Sequence, residues 1–138
     1  MNHLIQQRQL QGQIECDSAG TSSYHIGSPP DSRMTQAAKP YGITLKGKAR
    51  QFLPIDFEQF DWVLAMDREN YRDILSLAET DRHRQKVRLM CEFCRHHPDK
   101  EVPDPYYGGP EGFSYVIELL MDACDGFLDH VLAHPSQP

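Results

Sequence analysis

Short apolar runs alternate along this chain with amphipathic helical stretches, and this alternation restricts the chain to an α/β fold. The strand candidates are residues 13–18, 61–66 and 86–90. The helical stretches are residues 1–10, 32–41, 54–60 and 68–77, followed by a long helix that begins near Pro110. Connections of this length imply parallel strands joined by right-handed crossovers. We therefore expect a parallel sheet with helices on both faces.

The last helix carries the longest apolar pattern in the sequence. Its apolar residues recur at intervals of three and four, which places them on one helical face for packing against a sheet. They are Phe113, Val116, Ile117, Leu120, Cys124, Phe127, Leu128, Val131 and Leu132. The opening segment also has helical character, but no capping residue precedes it, so it resembles the middle of a helix rather than its beginning.

Length and charge exclude several classes of protein. With 138 residues and 15.9 kDa, the chain has the size of one domain, which we expect at residues 1–134 with a tail at 135–138. No apolar run approaches the ~18 residues that a membrane span needs, and the first residues contain no apolar signal-peptide core. A net charge of -6 argues against a broad nucleic-acid-binding surface. We therefore expect neither a membrane nor a nucleic acid as partner.

The cysteines are expected to be free thiols of a cytoplasmic protein, because the sequence shows no export signal. They are Cys16, Cys91, Cys94 and Cys124. Cys91-x2-Cys94 followed by His96 and His97 has the spacing of a zinc site, but adjacent histidine side chains usually diverge. Free thiols and surface histidines are the preferred interpretation, and we expect no metal or other cofactor. A basic cluster at residues 82–88 is expected to form a solvated face.

Two loop segments contain residues suited to chemistry on an aromatic substrate. In residues 102–109, two prolines and two glycines exclude regular structure and stiffen the backbone around Asp104. The nearby Tyr106 and Tyr107 could wall a pocket for a flat ring. Residues 17–31 follow the carboxyl end of a predicted strand, where open α/β sheets place their ligand sites. Each segment, considered by itself, would be explained by ordinary turn chemistry.

The sequence resembles the low molecular weight protein-tyrosine phosphatases in four segments and in the long helix that follows them. The segments are, in order, DSAGTSSYHIGSPPDSRM, KARQF, FDWVLAMDRENYRDI and VPDPYYGG. The resemblance extends from the opening helix to about Leu132 and implies a four-stranded parallel sheet with helices on both faces. It also implies metal-free hydrolysis of phosphotyrosine in proteins, or of small aryl phosphates. In that reaction a cysteine thiolate attacks phosphorus, and an aspartic acid protonates the leaving phenolate and then activates water.

The resemblance implies roles for particular residues. Asp104 matches the general acid and base. That role makes physical sense because a phenolate has a pKa of about 10, and a proton supplied in the transition state typically accelerates its departure ~10²–10⁴-fold. Tyr106 and Tyr107 match aromatic residues beside the acid, and Tyr24 matches an aromatic wall of the substrate cleft. Ser18 matches a hydroxyl that braces the phosphate-binding loop.

The sequence departs from the family pattern at the nucleophile. The family's cysteine lies in a Cys-x5-Arg-Ser loop after the first strand, where backbone N–H groups and the arginine hold the phosphate. No cysteine here has an arginine at that spacing; the residues found there are Ser22, His97, Lys100 and His130. By alignment with the family pattern, Met1 falls inside the first helix. We therefore expect the first, central strand and the phosphate-binding loop to be missing.

This departure predicts a chain that is poorly stable and inactive as a phosphatase. A missing central strand leaves two strand edges unpaired or forces them to pair with each other, and each unmet buried backbone group costs ~1–3 kcal/mol. Three origins of the missing segment are expected, in this order of preference: a misassigned start codon, a truncated gene and a pseudophosphatase. The order follows from the intact acid loop, which a long-decayed gene has no reason to keep.

Two alternative functions stay open. Arsenate reduction, which some proteins of this fold perform, needs the same anion-binding loop and additional redox cysteines. A non-catalytic interaction module would use Tyr106 and Tyr107 as phosphorylation targets. The sequence indicates neither the physiological substrate nor the oligomeric state.

Overall fold

The computed structural model describes residues 1–21, 32–43, 50–103 and 109–133. Within these residues the helices are α1 (Asn2–Gln7), α2 (Ser32–Ala38), α3 (Asp56–Gln59), α4 (Arg68–Ser76), α5 (Asp81–Lys86) and α6 (Gly109–Ala133). Two 3-10 helices span Lys39–Tyr41 and Met90–Phe93. The strands of the same residues are β1 (Val63–Ala65) and β2 (Val87–Leu89).

The two strands pair in parallel, and helices cover both faces of the pair. Successive strand side chains point to opposite faces. Val63 and Ala65 of β1 accordingly join an apolar cluster that contains Phe57 of α3 and Ile74 of α4. Leu64, between them, packs against the cluster that includes the buried face of α6. The predicted α/β fold, with a parallel sheet between helices, is confirmed.

The strand predictions at residues 61–66 and 86–90 are confirmed at their centres, whereas the predicted strand at residues 13–18 is wrong. Residues 14–19 have no regular secondary structure, and the nearest ladder contact is an isolated parallel bridge between Gly20 and Gln51. A strand needs a neighbour that receives its hydrogen bonds. Within the described ranges, no neighbouring strand lies beside residues 13–18, and β1 pairs with β2 alone.

Helix boundaries follow the capping residues of the sequence. Asp67 caps α4, because its Oδ1 accepts a hydrogen bond from the Asn70 N–H group at 2.7 Å. The predicted helix at residues 32–41 is present as α2 followed by the 3-10 helix that contains Pro40. It ends at Gly42, whose φ of 73° lies in the left-handed region that favours glycine. The opening helix α1 has no side-chain cap.

The sequence patterns do not predict helix α5, whose residues were expected to form a solvated basic face. For His83 and Lys86 that expectation is wrong, because each is only 5% exposed. The Lys86 ammonium group donates to the Phe57 carbonyl oxygen, and the His83 ring stacks on the Phe57 ring at 4.8 Å between centroids. The Glu79 N–H group donates to His83 Nδ1, which leaves Nε2 to donate to Glu58. These hydrogen bonds compensate for the loss of water around both side chains.

Helix α6 packs along the 3-10 helix Met90–Phe93. Of its nine predicted apolar positions, Leu132 is exposed, and the others are buried or half-buried. Gly126 lies at the contact between the two helices, since a Cβ atom there would collide with the Phe93 carbonyl oxygen. Although α6 is 25 residues long, no helix in the described ranges is long and apolar enough to cross a membrane.

We expect Gly126→Ala to destabilise the protein. Alanine usually favours a helix over glycine, but here its Cβ would collide with backbone atoms of Phe93, which cannot move aside as a flexible side chain could. The expected loss is about 1–3 kcal/mol in the free energy of unfolding, measured by urea denaturation. Gly12→Ala is the matched control, because among the described residues other than its chain neighbours no atom lies within 4 Å of the Cβ position there. Equal stability of the two variants would contradict the packing described for α6.

Candidate active site

Residues 66–70, which comprise the turn after β1 and the first residues of α4, lie at the carboxyl end of a buried parallel strand. This edge of an α/β sheet is where ligand sites form, because loops from neighbouring strands meet there. The turn is fixed at one end by the pairing of β1 with β2 and at the other by the Asp67 cap. We refer to residues 66–70 as the β1–α4 turn.

The chain that enters the predicted acid loop is held against this turn. The Val102 N–H group donates to the Met66 carbonyl oxygen at 2.8 Å. One residue earlier, the Glu101 carboxylate accepts a hydrogen bond from the Arg68 N–H group at 2.7 Å. Residues 101 and 102 are therefore fixed to the turn through two backbone N–H groups.

The chain that enters the predicted aromatic wall reaches the same turn. The Asn70 side-chain amide donates to Thr21 Oγ1 at 3.4 Å. Just before Thr21, the Gly20 N–H group donates to the Arg50 carbonyl oxygen, and the Phe52 N–H group donates to the Gly20 carbonyl oxygen, both at 2.8 Å. Asn70 thus links the second loop segment to the turn that holds the first.

Most of the predicted site residues lie outside the described residues. These are Tyr24, Asp104, Tyr106 and Tyr107. Ser18 is described: it is exposed, and its N–H group donates to Asp17 Oδ1 at 2.8 Å. The Ser18 hydroxyl makes no hydrogen bond within the part of the chain that the structure describes, so its predicted bracing role stays a prediction.

Arg50 connects the second loop segment to the core. Its guanidinium group binds both carboxylate oxygens of Asp56, at 3.0 and 3.2 Å, and its Nε donates to Asp17 at 3.0 Å. Asp56 is only 3% exposed and also accepts the Leu53 N–H group. A buried carboxylate needs such partners. Nothing in the sequence marks Asp56 as buried, so this role could not be predicted from the sequence.

The thiols are poor candidates for a nucleophile. All four cysteines are free. Burial is the largest cause of a raised pKa at each of them, and it raises the pKa of Cys94 to about 12. Since the thiolate is the nucleophilic form, these thiols are almost wholly protonated near neutral pH.

The Cys91-x2-Cys94-x-His96-His97 stretch is organised by the carboxylate of Asp122. Asp122 of α6, which is 9% exposed, accepts hydrogen bonds from the Arg95 and His96 N–H groups and from His97 Nδ1, at 3.1, 2.9 and 2.7 Å. His96 itself is exposed. In the part of the chain that the structure describes, no group of three or more His, Cys, Asp and Glu side chains could hold a metal ion.

Comparison with known proteins decides the family. The family model described as low molecular weight phosphotyrosine protein phosphatase matches residues 1–136. This chain belongs to that family. A Synechocystis protein named as a low molecular weight protein-tyrosine-phosphatase is 52% identical over 128 residues, covering 93% of this chain and 82% of that protein. The low molecular weight phosphotyrosine protein phosphatase of Gallus gallus is 35% identical over 129 residues, covering 91% of this chain and 80% of that protein.

A solved structure gives the same result for the fold. A protein tyrosine phosphatase from Entamoeba histolytica, crystallised with Hepes in its active site, superposes with a TM-score of 0.91 and is 39% identical. The match covers 96% of this chain and 84% of that chain. The predicted family is therefore confirmed. The 138 residues nevertheless contain no Cys-x5-Arg sequence.

We expect Asp122→Asn to lower the free energy of unfolding by about 1–3 kcal/mol at neutral pH, because buried donors lose their charged acceptor. Burial by itself raises the pKa of Asp122, but the hydrogen bonds from His97, Arg95 and His96 outweigh it and lower the pKa from 3.8 to about 2. The stabilisation is thus complete above about pH 4 and is lost as the pH falls towards 2.

Urea denaturation of the original protein and of Asp122→Asn between about pH 7 and pH 2 measures this effect. The difference between their free energies of unfolding should be constant above about pH 4 and shrink below it. Asp81→Asn is the control, since Asp81 has a 92% exposed side chain paired only with Arg84 in the described ranges. A difference that grows as the pH falls would contradict the assigned network.

We expect Arg50→Ala to lower the free energy of unfolding by about 2–3 kcal/mol, because the buried Asp56 carboxylate loses its cation. Removing one partner of a fully buried pair costs about 3–5 kcal/mol, and the effect is smaller here because the Arg50 side chain is 35% exposed. Asp17→Asn removes the exposed partner and should change stability by less than about 1 kcal/mol. If both variants unfold at the same urea concentration, the pairing of Asp56 with Arg50 does not stabilise the fold as described.

Proposed function

We propose that Asp104 is the general acid and base of phosphotyrosine hydrolysis in this fold. Tyr106, Tyr107 and Tyr24 would flank the aromatic ring of the substrate, and Ser18 would brace the phosphate-binding loop. In this reaction a thiolate attacks phosphorus, and Asp104 gives its proton to the departing phenolate oxygen. The same carboxylate then takes a proton from the water that releases phosphate from the cysteine.

The observation that supports this proposal is that the chain leading into each of the two loop segments is bonded to the β1–α4 turn. Val102 is bonded to the turn two residues before Asp104, and Thr21 is bonded to it three residues before Tyr24. Two residues of chain span at most ~7 Å. The anchoring therefore supports a site in which the acid and the aromatic wall serve one substrate at the carboxyl end of β1.

We also propose that the 138-residue polypeptide does not itself hydrolyse phosphotyrosine. The reaction needs a thiolate and a set of donors that stabilise the charge on the transferring phosphoryl group. The sequence has no cysteine with an arginine at the family spacing. Burial raises the pKa of each of its four thiols. A proton donor without a thiolate or a phosphate-binding loop cannot complete the first step.

The proposal extends to domain, location and partners. We propose a single domain at residues 1–134 with a short tail at 135–138. A cytoplasmic location is supported by four free thiols, which persist in reducing compartments. The substrates of a complete catalytic site would be phosphotyrosine proteins, the class that the printed name of the Gallus gallus relative gives, or small aryl phosphates of the same chemistry.

Hydrolysis of an aryl phosphate by the purified 138-residue protein tests the catalytic claim. We expect the rate to equal that of buffer and to be the same for Asp104→Ala. The matched control is Asp81→Ala, which removes an exposed carboxylate elsewhere. Hydrolysis above the buffer rate that Asp104→Ala lowers and Asp81→Ala leaves unchanged would contradict the proposed inactivity.

A second protein tests the role of Asp104 separately. It carries an added amino-terminal strand and a Cys-x5-Arg-Ser loop joined to this sequence. We expect this protein to hydrolyse the aryl phosphate, and Asp104→Asn to lower its rate ~10²–10⁴-fold. An active extended protein that is insensitive to Asp104→Asn would show that Asp104 is not the acid.

A further inference from the structure

The Cys91-x2-Cys94 pair is a sequence motif that the proposed catalytic site does not use. The histidines that follow it do not join the pair, because His97 Nδ1 is bonded to Asp122 and His96 is exposed. Two cysteines separated by two residues also have the spacing of dithiols that close reversibly into a disulfide. Such closure requires a backbone that brings the two sulfur atoms together.

The backbone between the two cysteines forms a tight 3-10 turn. Cys91 lies inside the 3-10 helix Met90–Phe93, and the Cys94 N–H group donates to the Cys91 carbonyl oxygen at 3.3 Å. In a 3-10 helix, side chains three residues apart lie above one another, and three residues advance the chain by about 6 Å. A disulfide needs a Cα–Cα separation of about 4.4–6.8 Å. The turn therefore holds both side chains on one face, at a separation suited to a disulfide.

The two thiols also interact with each other. Burial is the largest cause of the raised pKa of Cys91, and a hydrogen bond with the Cys94 side chain opposes it. At Cys94, burial is again the largest cause, and Cys91 raises the pKa further through its charge and through the same hydrogen bond. These mutual effects are those of two sulfur atoms in contact, from which an S–S bond can form without a change of fold.

The surroundings of the pair disfavour a charged thiolate but do not disfavour a disulfide. After burial, the carboxylates of Asp99 and Asp122 contribute to the raised pKa of both thiols. A dithiol pair is strongly oxidising when the protein stabilises its reduced form. Here the surroundings oppose the thiolate, whereas an uncharged disulfide loses little on burial. The oxidised pair is therefore compatible with this site.

We propose that Cys91 and Cys94 form a redox modification site, at which a low-molecular-weight disulfide such as glutathione disulfide oxidises the two thiols to an intramolecular disulfide. Cys94 reacts first, because it is half-buried whereas Cys91 is 6% exposed. The raised pKa of Cys94 makes this first step slow at neutral pH and faster in alkaline solution.

The reaction consists of two thiol–disulfide exchanges. The Cys94 thiol loses its proton, and its sulfur attacks one sulfur of glutathione disulfide, whose S–S bond breaks. One glutathione thiolate leaves and takes up a proton. The Cys91 thiol then loses its proton, attacks the Cys94 sulfur of the mixed disulfide and releases the second glutathione in the same way. Two protein thiols are oxidised by two electrons, and one glutathione disulfide is reduced to two glutathione molecules.

Mass spectrometry of the folded 138-residue protein tests this inference. The protein is incubated with excess glutathione disulfide at about pH 8.5, where more thiolate is present than at neutral pH. It is then alkylated and digested with trypsin, which leaves both cysteines in the peptide of residues 89–95. We expect this peptide to lose both alkylation sites, to carry no glutathione and to regain both sites after treatment with dithiothreitol.

Substitutions separate the roles of the two thiols. Cys91→Ala should retain one glutathione on Cys94, because the second exchange is lost. Cys94→Ala should gain about tenfold less glutathione on Cys91 in the same time, since that thiol is buried. Cys124→Ala is the matched control, because it removes a buried thiol of α6 and should leave the Cys91–Cys94 disulfide unchanged. Circular dichroism of each variant checks that the fold is retained.

Three results would each overturn the inference. The first is glutathione that stays on Cys94 in the original protein. The second is a disulfide that joins either residue to Cys16 or Cys124. The third is a pair that stays reduced in the folded protein while the urea-unfolded protein reacts completely. None of these results depends on Asp104, so the outcome is separate from that of the hydrolysis assays.

Discussion

The hydrogen bond from the Val102 N–H group to the Met66 carbonyl oxygen ties the entrance of the acid loop to the end of a buried strand. The position of Val102 therefore depends on the packing of β1, in which Val63 and Ala65 are buried against α3 and α4. Asn70 of the same turn contacts Thr21 in the second loop segment. A short backbone turn thus relates two parts of the site that are about 80 residues apart in sequence.

The buried acids and the thiols of this chain differ in their partners. Asp56 and Asp122 are buried beside fixed donors, and the hydrogen bonds that each accepts organise a loop. The four thiols pack in or near the apolar clusters, and burial raises the pKa of each. We therefore expect these thiols to be largely protonated near neutral pH.

The sequence predicts the parts of the structure that are local. Asp67 marks a helix start, Gly42 marks a helix end, and the apolar spacing of α6 follows from one helical face. Residues 13–18 were wrongly predicted as a strand because their apolar content gives no information about whether a partner strand lies beside them. The buried state of His83 and Lys86 was missed for a similar reason, since their acceptors on α3 are 25 or more residues away.

The candidate site was only partly predictable. The motif around Asp104 predicts a general acid, whereas the contact that fixes the chain two residues earlier joins the Met66 carbonyl oxygen and the Val102 N–H group. Backbone groups are present at every position and leave no signal in a sequence. The Cys91-x2-Cys94 spacing does give a signal, that of a zinc site, but the residue that holds the adjacent histidines is Asp122, which lies 25 positions or more away.

We propose that this fold anchors the chain leading to Asp104 but supplies no reactive thiolate to work with it. Alkylation of the folded protein by iodoacetamide as a function of pH, with mass spectrometry to assign each cysteine, tests it directly. Buried thiols of raised pKa should react slowly at about pH 6 and faster only well above neutrality, at all four positions. Rapid alkylation of one cysteine at about pH 6, slowed by a bound oxyanion such as vanadate or phosphate, would contradict the account.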